Sequence, residues 1–321
     1  MLFLGLITLI IGGDFLVRGA VGLALKANIS TLIIGMTVVS FGTSAPELLV
    51  SVGAALKGGE ESLLSVGNVI GSNIANIALV LGITAFIFPV PVQKQSIRQD
   101  WPVMMGATIL FVVFMAFFDG EKYLVNRWEG ACLFVLIILF TCFLIWKSIK
   151  NSKKSAELVV AEDKELAASW GRPLFQNVFF LIGGCICLVI GADWLLGSAV
   201  SIATKFGVSN YMIGVTVVAF GTSIPELVTS AVAAYRKQTD IAIGNLIGSN
   251  IFNILCVVGI TGSIAGMPLP KSVLAFDSWW MLGITFLILP LMAFGSKIHR
   301  WKGLLLISVY VMYMYFLISK A

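Results

Sequence analysis

The chain has 321 residues, 59% of them apolar and only 12% charged, with a formal net charge of +5. A soluble domain of this size needs more charge to stay in solution, and apolar runs of about twenty residues, the length that crosses a bilayer core as a helix, recur throughout. A β-barrel is excluded, because runs such as Leu133 to Ile145 do not alternate polar with apolar residues. The positive residues lie mostly in loops next to membrane, so the net charge does not point to nucleic acid.

Taken in order, the apolar segments predict ten spans, at 2–24, 30–56, 62–90, 101–118, 124–148, 174–203, 209–235, 241–265, 279–296 and 302–319. The first lacks the positive leader of a signal peptide, and Asp14 and Arg18 interrupt it, so it reads as a span. Trp101, Trp128, Trp146, Trp279, Trp280 and Trp301 fall near span ends, where amphipathic rings favour the interface. Cys132, Cys142, Cys185, Cys187 and Cys256 sit in apolar stretches without a C-x-x-C and read as small buried apolar residues. Between the fifth and sixth spans, residues 149–173 form the single long polar segment. It mixes both signs of charge and reads as a solvated connector with some helix, too short for a regulatory domain. With the N-terminus outside, the inner loops hold 14 Lys and Arg residues against 6 outside, which predicts that both termini face out and that the connector is cytoplasmic.

The two halves repeat. Residues 11–51 align without gaps on 190–230, and 22 of the 41 positions are identical, including Asp14 with Asp193 and Gly35 to Ser51 with Gly214 to Ser230. A second block pairs Gly67 to Ile77 with Gly244 to Ile254. Five spans per half force the second half to enter the membrane in the opposite sense. The expected fold is therefore an all-α membrane protein of ten transmembrane helices in two inverted-topology five-helix repeats, at 1–148 and 174–321. In such folds the binding site lies near the midplane, where the repeats meet and helices are broken.

The segments GTSAPE and GTSIPE place Glu47 and Glu226 well inside spans. A charge near the bilayer centre costs roughly 2.5 kcal/mol or more, so it faces a cavity or a partner. Neither span has a Lys or Arg in its apolar part, and a bound cation is the natural partner. Ser40, Thr43, Ser44, Glu47 and Ser51 recur at three- and four-residue steps and so share one helix face. Pro46 withholds an N–H from the Gly42 carbonyl, and Pro225 does the same for Gly221, beside Thr222 and Ser223. The second motif adds Asn68, Ser72 and Asn76, matched by Asn245, Ser249 and Asn253, each set four residues apart on one face, with Asn73 and Asn250 on the flank. Gly67 with Gly71, and Gly244 with Gly248, offer small surfaces for close packing.

The donors are all oxygen, which suits hard cations such as calcium and sodium and disfavours zinc or copper. Two carboxylates balance one divalent ion or two monovalent ions, so two cargoes can compete for one site. With no ion bound, close carboxylates repel and protons compete for them, so acid is expected to inhibit transport. Helix packing by Gly, Ser and Thr, with Asn as interhelical glue, explains any single residue of these motifs. It does not explain two intramembrane glutamates, each just after a proline and each repeated. Asp14 has Arg18 one turn away, and it and Asp193 read as structural or rim residues.

GTSAPE…GNVIGSNIAN and GTSIPE…GNLIGSNIFN resemble the two α-repeats of the calcium/cation antiporter superfamily, and among them the prokaryotic sodium/calcium exchangers, over nearly the whole chain. The resemblance implies a calcium site at Glu47 and Glu226 with the backbone carbonyls of Thr43 and Thr222. It implies flanking sodium sites at Ser40, Ser44, Ser72 and Asn76 in one half and Ala219, Ser223, Ser249 and Asn253 in the other. It also implies sliding of the first and sixth spans across the other eight, and a bacterial or archaeal inner membrane. Some members of the superfamily carry an acid where this chain has Asn253, and Ser40 adds a hydroxyl where the second half has Ala219. The expectation is a secondary antiporter acting as a monomer, with calcium and sodium as substrates and no cofactor. Coupling to protons or potassium, or a passive cation channel, are the alternatives. An intramembrane hydrolase using Ser44 or Ser223 ranks last, because the sole histidine, His299, lies in a distant loop.

Overall fold

The computed structural model describes residues 1–27, 29–58, 62–117, 124–160, 173–206, 217–268 and 273–320. It is an all-helical membrane protein. In chain order the helices are α1 (Leu2–Ala27), α2 (Thr31–Thr43), α3 (Ala45–Lys57), α4 (Leu63–Ile87), α5 (Ser96–Ala116), α6 (Arg127–Val160), α7 (Leu174–Lys205), α8 (Ala219–Thr222), α9 (Ile224–Tyr235), α10 (Thr239–Ala265), α11 (Val273–Ser296) and α12 (Arg300–Lys320). Among the described residues, eight helices are long and apolar enough to span a bilayer. α2 and α3 together make a ninth, bent by 43°. The expected span at 209–235 lies partly outside the described residues, and its described part holds α8 and α9.

Three differences from the sequence expectation have physical causes. α5 and α11 start earlier than predicted, with π-helical turns at Ser96–Asp100 and Val273–Asp277. The first of these turns carries Arg98, Gln99 and Asp100, which broke the apolar pattern. Trp101 is not an interface ring: its Nε1 donates to the Thr285 carbonyl at 2.7 Å, pinning α5 to α11. Trp128, Trp146, Trp279 and Trp301 do project outward. Cys132 and Cys142 are exposed rather than buried, because in a bilayer an outward helix face meets lipid and small apolar residues are stable there too.

The repeat extends beyond the motifs. Four two-residue strands, β1 (Val90–Pro91), β2 (Leu124–Val125), β3 (Met267–Pro268) and β4 (Lys297–Ile298), pair antiparallel across the halves. Val90 faces Ile298 and Pro91 faces Lys297, while Leu124 faces Pro268 and Val125 faces Met267. β1 and β3 are equivalent segments, so each half lends the other a strand in the same way. α1 and α7 touch backbone to backbone: a Cβ on Gly5 would lie 2.9 Å from the Gly191 carbonyl oxygen, and one on Gly184 would lie 2.5 Å from the Leu16 nitrogen. The main apolar core is built from α4, α5, α6, α10, α11 and α12, and a smaller one seals α1 against α2, α7 and α9.

Candidate functional site

The site is built where two helices break. Ser44, between α2 and α3, has φ −83° and ψ 5°, and Ser223, between α8 and α9, has φ −86° and ψ 0°. Pro46 and Pro225 stand in the first turn of the restarted helices, where a missing N–H costs nothing. The ladder resumes from Leu48 N to the Ser44 carbonyl and from Leu227 N to the Ser223 carbonyl, both at 3.1 Å. Glu47 and Glu226 therefore fall in a first helical turn, where the amide end of the helix favours negative charge.

Both glutamates are 0% exposed. Ser44, three residues before Glu47, reaches the Glu226 carboxylate, so the two acids belong to one junction between the halves. The Ser44 hydroxyl donates to Glu226 Oε1 at 3.2 Å, across the two halves. The other three carboxylate oxygens, Glu47 Oε1 and Oε2 and Glu226 Oε2, are buried without a protein hydrogen bond. The Thr222 and Ser72 hydroxyls lie beside Glu47, and those of Thr43 and Ser249 beside Glu226, without closing a bond to either. A buried carboxylate with unmatched oxygens and no cationic side chain demands a counter-charge. Among the described residues no group of three or more His, Cys, Asp or Glu side chains surrounds this point. Neutral oxygens must complete any cation shell, a chemistry that suits hard ions.

Those oxygens are present. Asn76 and Asn253 are 0% exposed, and neither end of either amide has a protein partner. Each sits at a π-helical turn, in Ala75–Val80 and Asn253–Val258, a distortion frequent at functional sites. Ser72 pairs with Thr222 at 3.1 Å and Ser249 with Thr43 at 3.3 Å, so the serines of α4 and α10 reach the break of the opposite half. Ser40 is fully buried, but its hydroxyl donates to the carbonyls of Gly35 at 2.7 Å and Asn245 at 3.2 Å. Ser223 is buried beside the break, and Ala219 opens α8.

Some assignments change. Asn68 and Asn245, grouped by spacing with the free oxygens, spend their amides on protein partners. Thr222 donates to Asn68 Oδ1 at 3.0 Å, and Thr43 donates to Asn245 Oδ1 at 3.0 Å. Thr229 carries no mark in the sequence pattern. It is fully buried one turn beyond Glu226, with an unpartnered Oγ1, and the first half offers Val50 at the equivalent position, so the repeat gave no signal. Asp14 forms an ion pair with Arg18 at 2.8 Å, as its spacing suggests. It also accepts from Arg236 Nε at 2.6 Å, a link between α1 and the end of α9 that no local pattern announces.

A sequence model of the family described as "Sodium/calcium exchanger protein" matches residues 1–146 and 176–319. The chain belongs to the sodium/calcium exchanger family. It is a multi-pass membrane transporter rather than an enzyme. It is 30% identical over 350 residues to sodium/calcium exchanger MaX1 of Methanosarcina acetivorans, covering 98% of this chain and 96% of that one. It is 35% identical over 266 residues to inner membrane protein YrbG of Escherichia coli, covering 82% and 79%. The sodium-calcium exchanger NCX_Mj, soaked with 10 mM Na+ and 10 mM Sr2+, superposes with a TM-score of 0.79 at 31% identity, over 98% of this chain and 96% of that chain. This exchanger thus shares the family's fold from end to end.

Proposed function

We propose that this protein is a secondary antiporter exchanging calcium for sodium by alternating access, with the two ions competing for Glu47 and Glu226. The observation that carries the reading is the meeting of two buried glutamates from inverted repeats, with three of their four oxygens unmatched by protein. The Thr43 and Thr222 carbonyls, beside the breaks, complete the calcium site. Ser40, Ser44, Ser72, Asn76, Ala219, Ser223, Ser249 and Asn253 supply the flanking sodium positions, with Ala219 contributing through its backbone. Two carboxylates neutralise one calcium or two sodium ions, which is the basis of exchange rather than co-transport. The charge bias of the loops supports an orientation with both termini outside, two five-helix repeats at 1–148 and 174–321, and a cytoplasmic connector at 149–173. An inner-membrane location, as named for the Escherichia coli relative, fits the same orientation.

The test is flux in proteoliposomes. Calcium uptake is expected to follow an outward sodium gradient and to ignore proton and potassium gradients. Glu47→Gln and Glu226→Gln are each expected to lower that uptake about a hundredfold or more, equivalent to about 2.8 kcal/mol. Uptake driven by protons would replace sodium as the coupling ion. Calcium passage with no counter-gradient would mean a channel, and full activity in either variant would remove the site assignment.

A further inference from the structure

The amides of Asn68 and Asn245 connect the two broken helices in a crossed pattern. Asn68, on α4, donates through Nδ2 to Ser51 Oγ at 3.1 Å and to the Glu47 carbonyl at 3.4 Å, both on α3 of its own repeat. Its Oδ1 accepts from the Thr222 hydroxyl of the other repeat at 3.0 Å. Asn245, on α10, repeats the arrangement: Nδ2 donates to Ser230 Oγ on α9 at 3.1 Å, and Oδ1 accepts from Thr43 at 3.0 Å. The Glu47 carbonyl can only accept, which fixes the amide orientation of Asn68 with its oxygen towards Thr222. Both asparagines are nearly or fully buried, at 4% and 0% exposure, where a lost partner is expensive. Ser51 is itself held, since Ser65 Oγ donates to its carbonyl at 2.6 Å.

We propose that Asn68 and Asn245 are positioning residues for cation binding: each clamps the broken helix of its own repeat to the threonine of the other, and so fixes the separation of the two half-sites. A calcium shell needs oxygens at 2.3–2.6 Å from both halves at once. Neither broken helix alone can set that distance, because each ladder is interrupted beside its own carboxylate. The crossed amides set it from outside the shell, with one bond into each repeat. Their effect is therefore on affinity, through preorganisation, and not on the identity of the charged ligands. The proposal rests on the calcium reading of Glu47 and Glu226.

The experiment measures sodium-driven calcium uptake in proteoliposomes as a function of calcium concentration. The variants are Asn68→Ala, Thr222→Val, Asn245→Ala, Thr43→Val, the bonded doubles Asn68→Ala/Thr222→Val and Asn245→Ala/Thr43→Val, and the unbonded double Asn68→Ala/Thr43→Val. Each single variant is expected to raise half-saturating calcium about three- to tenfold, and Asn68→Ala and Asn245→Ala, which lie outside the ion shell, are expected to keep the maximal rate within about twofold of native. The bonded doubles are expected to be no worse than their weaker single, while the effects in the unbonded double multiply. Thr222→Ser, which keeps the hydroxyl, is expected to recover most of the affinity lost in Thr222→Val. Multiplication in the bonded doubles, or a loss confined to the maximal rate, overturns the proposal. Should an alanine variant not fold, Asn68→Leu, which keeps the side-chain volume without the amide, takes its place, and native half-saturation in Asn68→Leu overturns the proposal. Glu47→Gln is run alongside. Its full activity defeats the calcium reading itself, whereas its inactivity together with uncoupled bonded doubles defeats only the positioning role.

Discussion

The two glutamates differ in their protein partners. The Glu226 carboxylate accepts one hydrogen bond, from Ser44, while the Glu47 carboxylate accepts none. Hydrogen bonds to a charged group contribute about 1.5–3 kcal/mol, and a ligand oxygen already bonded to protein is partly preorganised. Ser44→Ala should therefore weaken calcium binding by about tenfold, and Ser223→Ala should cost less, since neither Glu47 carboxylate oxygen accepts a protein hydrogen bond. Isothermal titration in detergent checks this, and equal, negligible losses would show that the Ser44 bond is incidental. This much of the site could be read from sequence, because duplication singles out Glu47, Glu226 and their hydroxyl neighbours. The roles of Asn68 and Asn76 could not be separated. They are two turns apart on one face, and spacing alone does not say that one amide points across to Thr222 while the other has no protein partner.

At the scale of elements, helix existence followed from apolar length, and the breaks followed from Pro46 and Pro225. What stayed hidden was how closely the elements approach. α2 and α10 are in contact over their length because glycines line α10: a Cβ on Gly244 would lie 2.5 Å from the Leu32 carbonyl oxygen, and one on Gly248 would lie 2.6 Å from the Met36 carbonyl oxygen. These are backbone atoms that cannot swing aside. Gly248→Ala is thus expected to destabilise the protein by about 1–3 kcal/mol, the usual range for overpacking, and to push α10 off Ser40 and the Ser44 break. A lower melting temperature in detergent together with weaker calcium binding is the expected result. A native melting temperature would mean that α2 and α10 pack more loosely than described. The motif glycines announced close packing, but not that the partner of Gly244 and Gly248 would be the helix that leads into the Ser44 break and Glu47.

For the whole molecule, the inverted repeat makes a contact in one half a statement about the other. Strand pairing obeys this, β1 with β4 and β2 with β3. Among the described residues, the Asp14–Arg236 pair is not accompanied by its counterpart across the repeat. The equivalent residues are Asp193 and Lys57, at the constant offset of 179, and Asp193 is exposed. A transporter that alternates between faces by exchanging the arrangements of its two repeats should make Asp14–Arg236 in one access state and Asp193–Lys57 in the other. The groups are partly exposed, 23% for the Asp14 side chain and 21% for Arg236. The pair is then worth about 0.2–1 kcal/mol, and its loss should shift the balance of states by no more than about fivefold. Asp14→Asn and Asp193→Asn are expected to move that balance in opposite directions. Half-saturating calcium measured separately on the two faces of oriented vesicles reports it, because affinity on each face scales with the population open to that face. Opposite shifts in the ratio of the two values are the expected result. Shifts in the same direction, or a change far above fivefold in either variant, would show that these acids act within one repeat and do not mark the alternation between them.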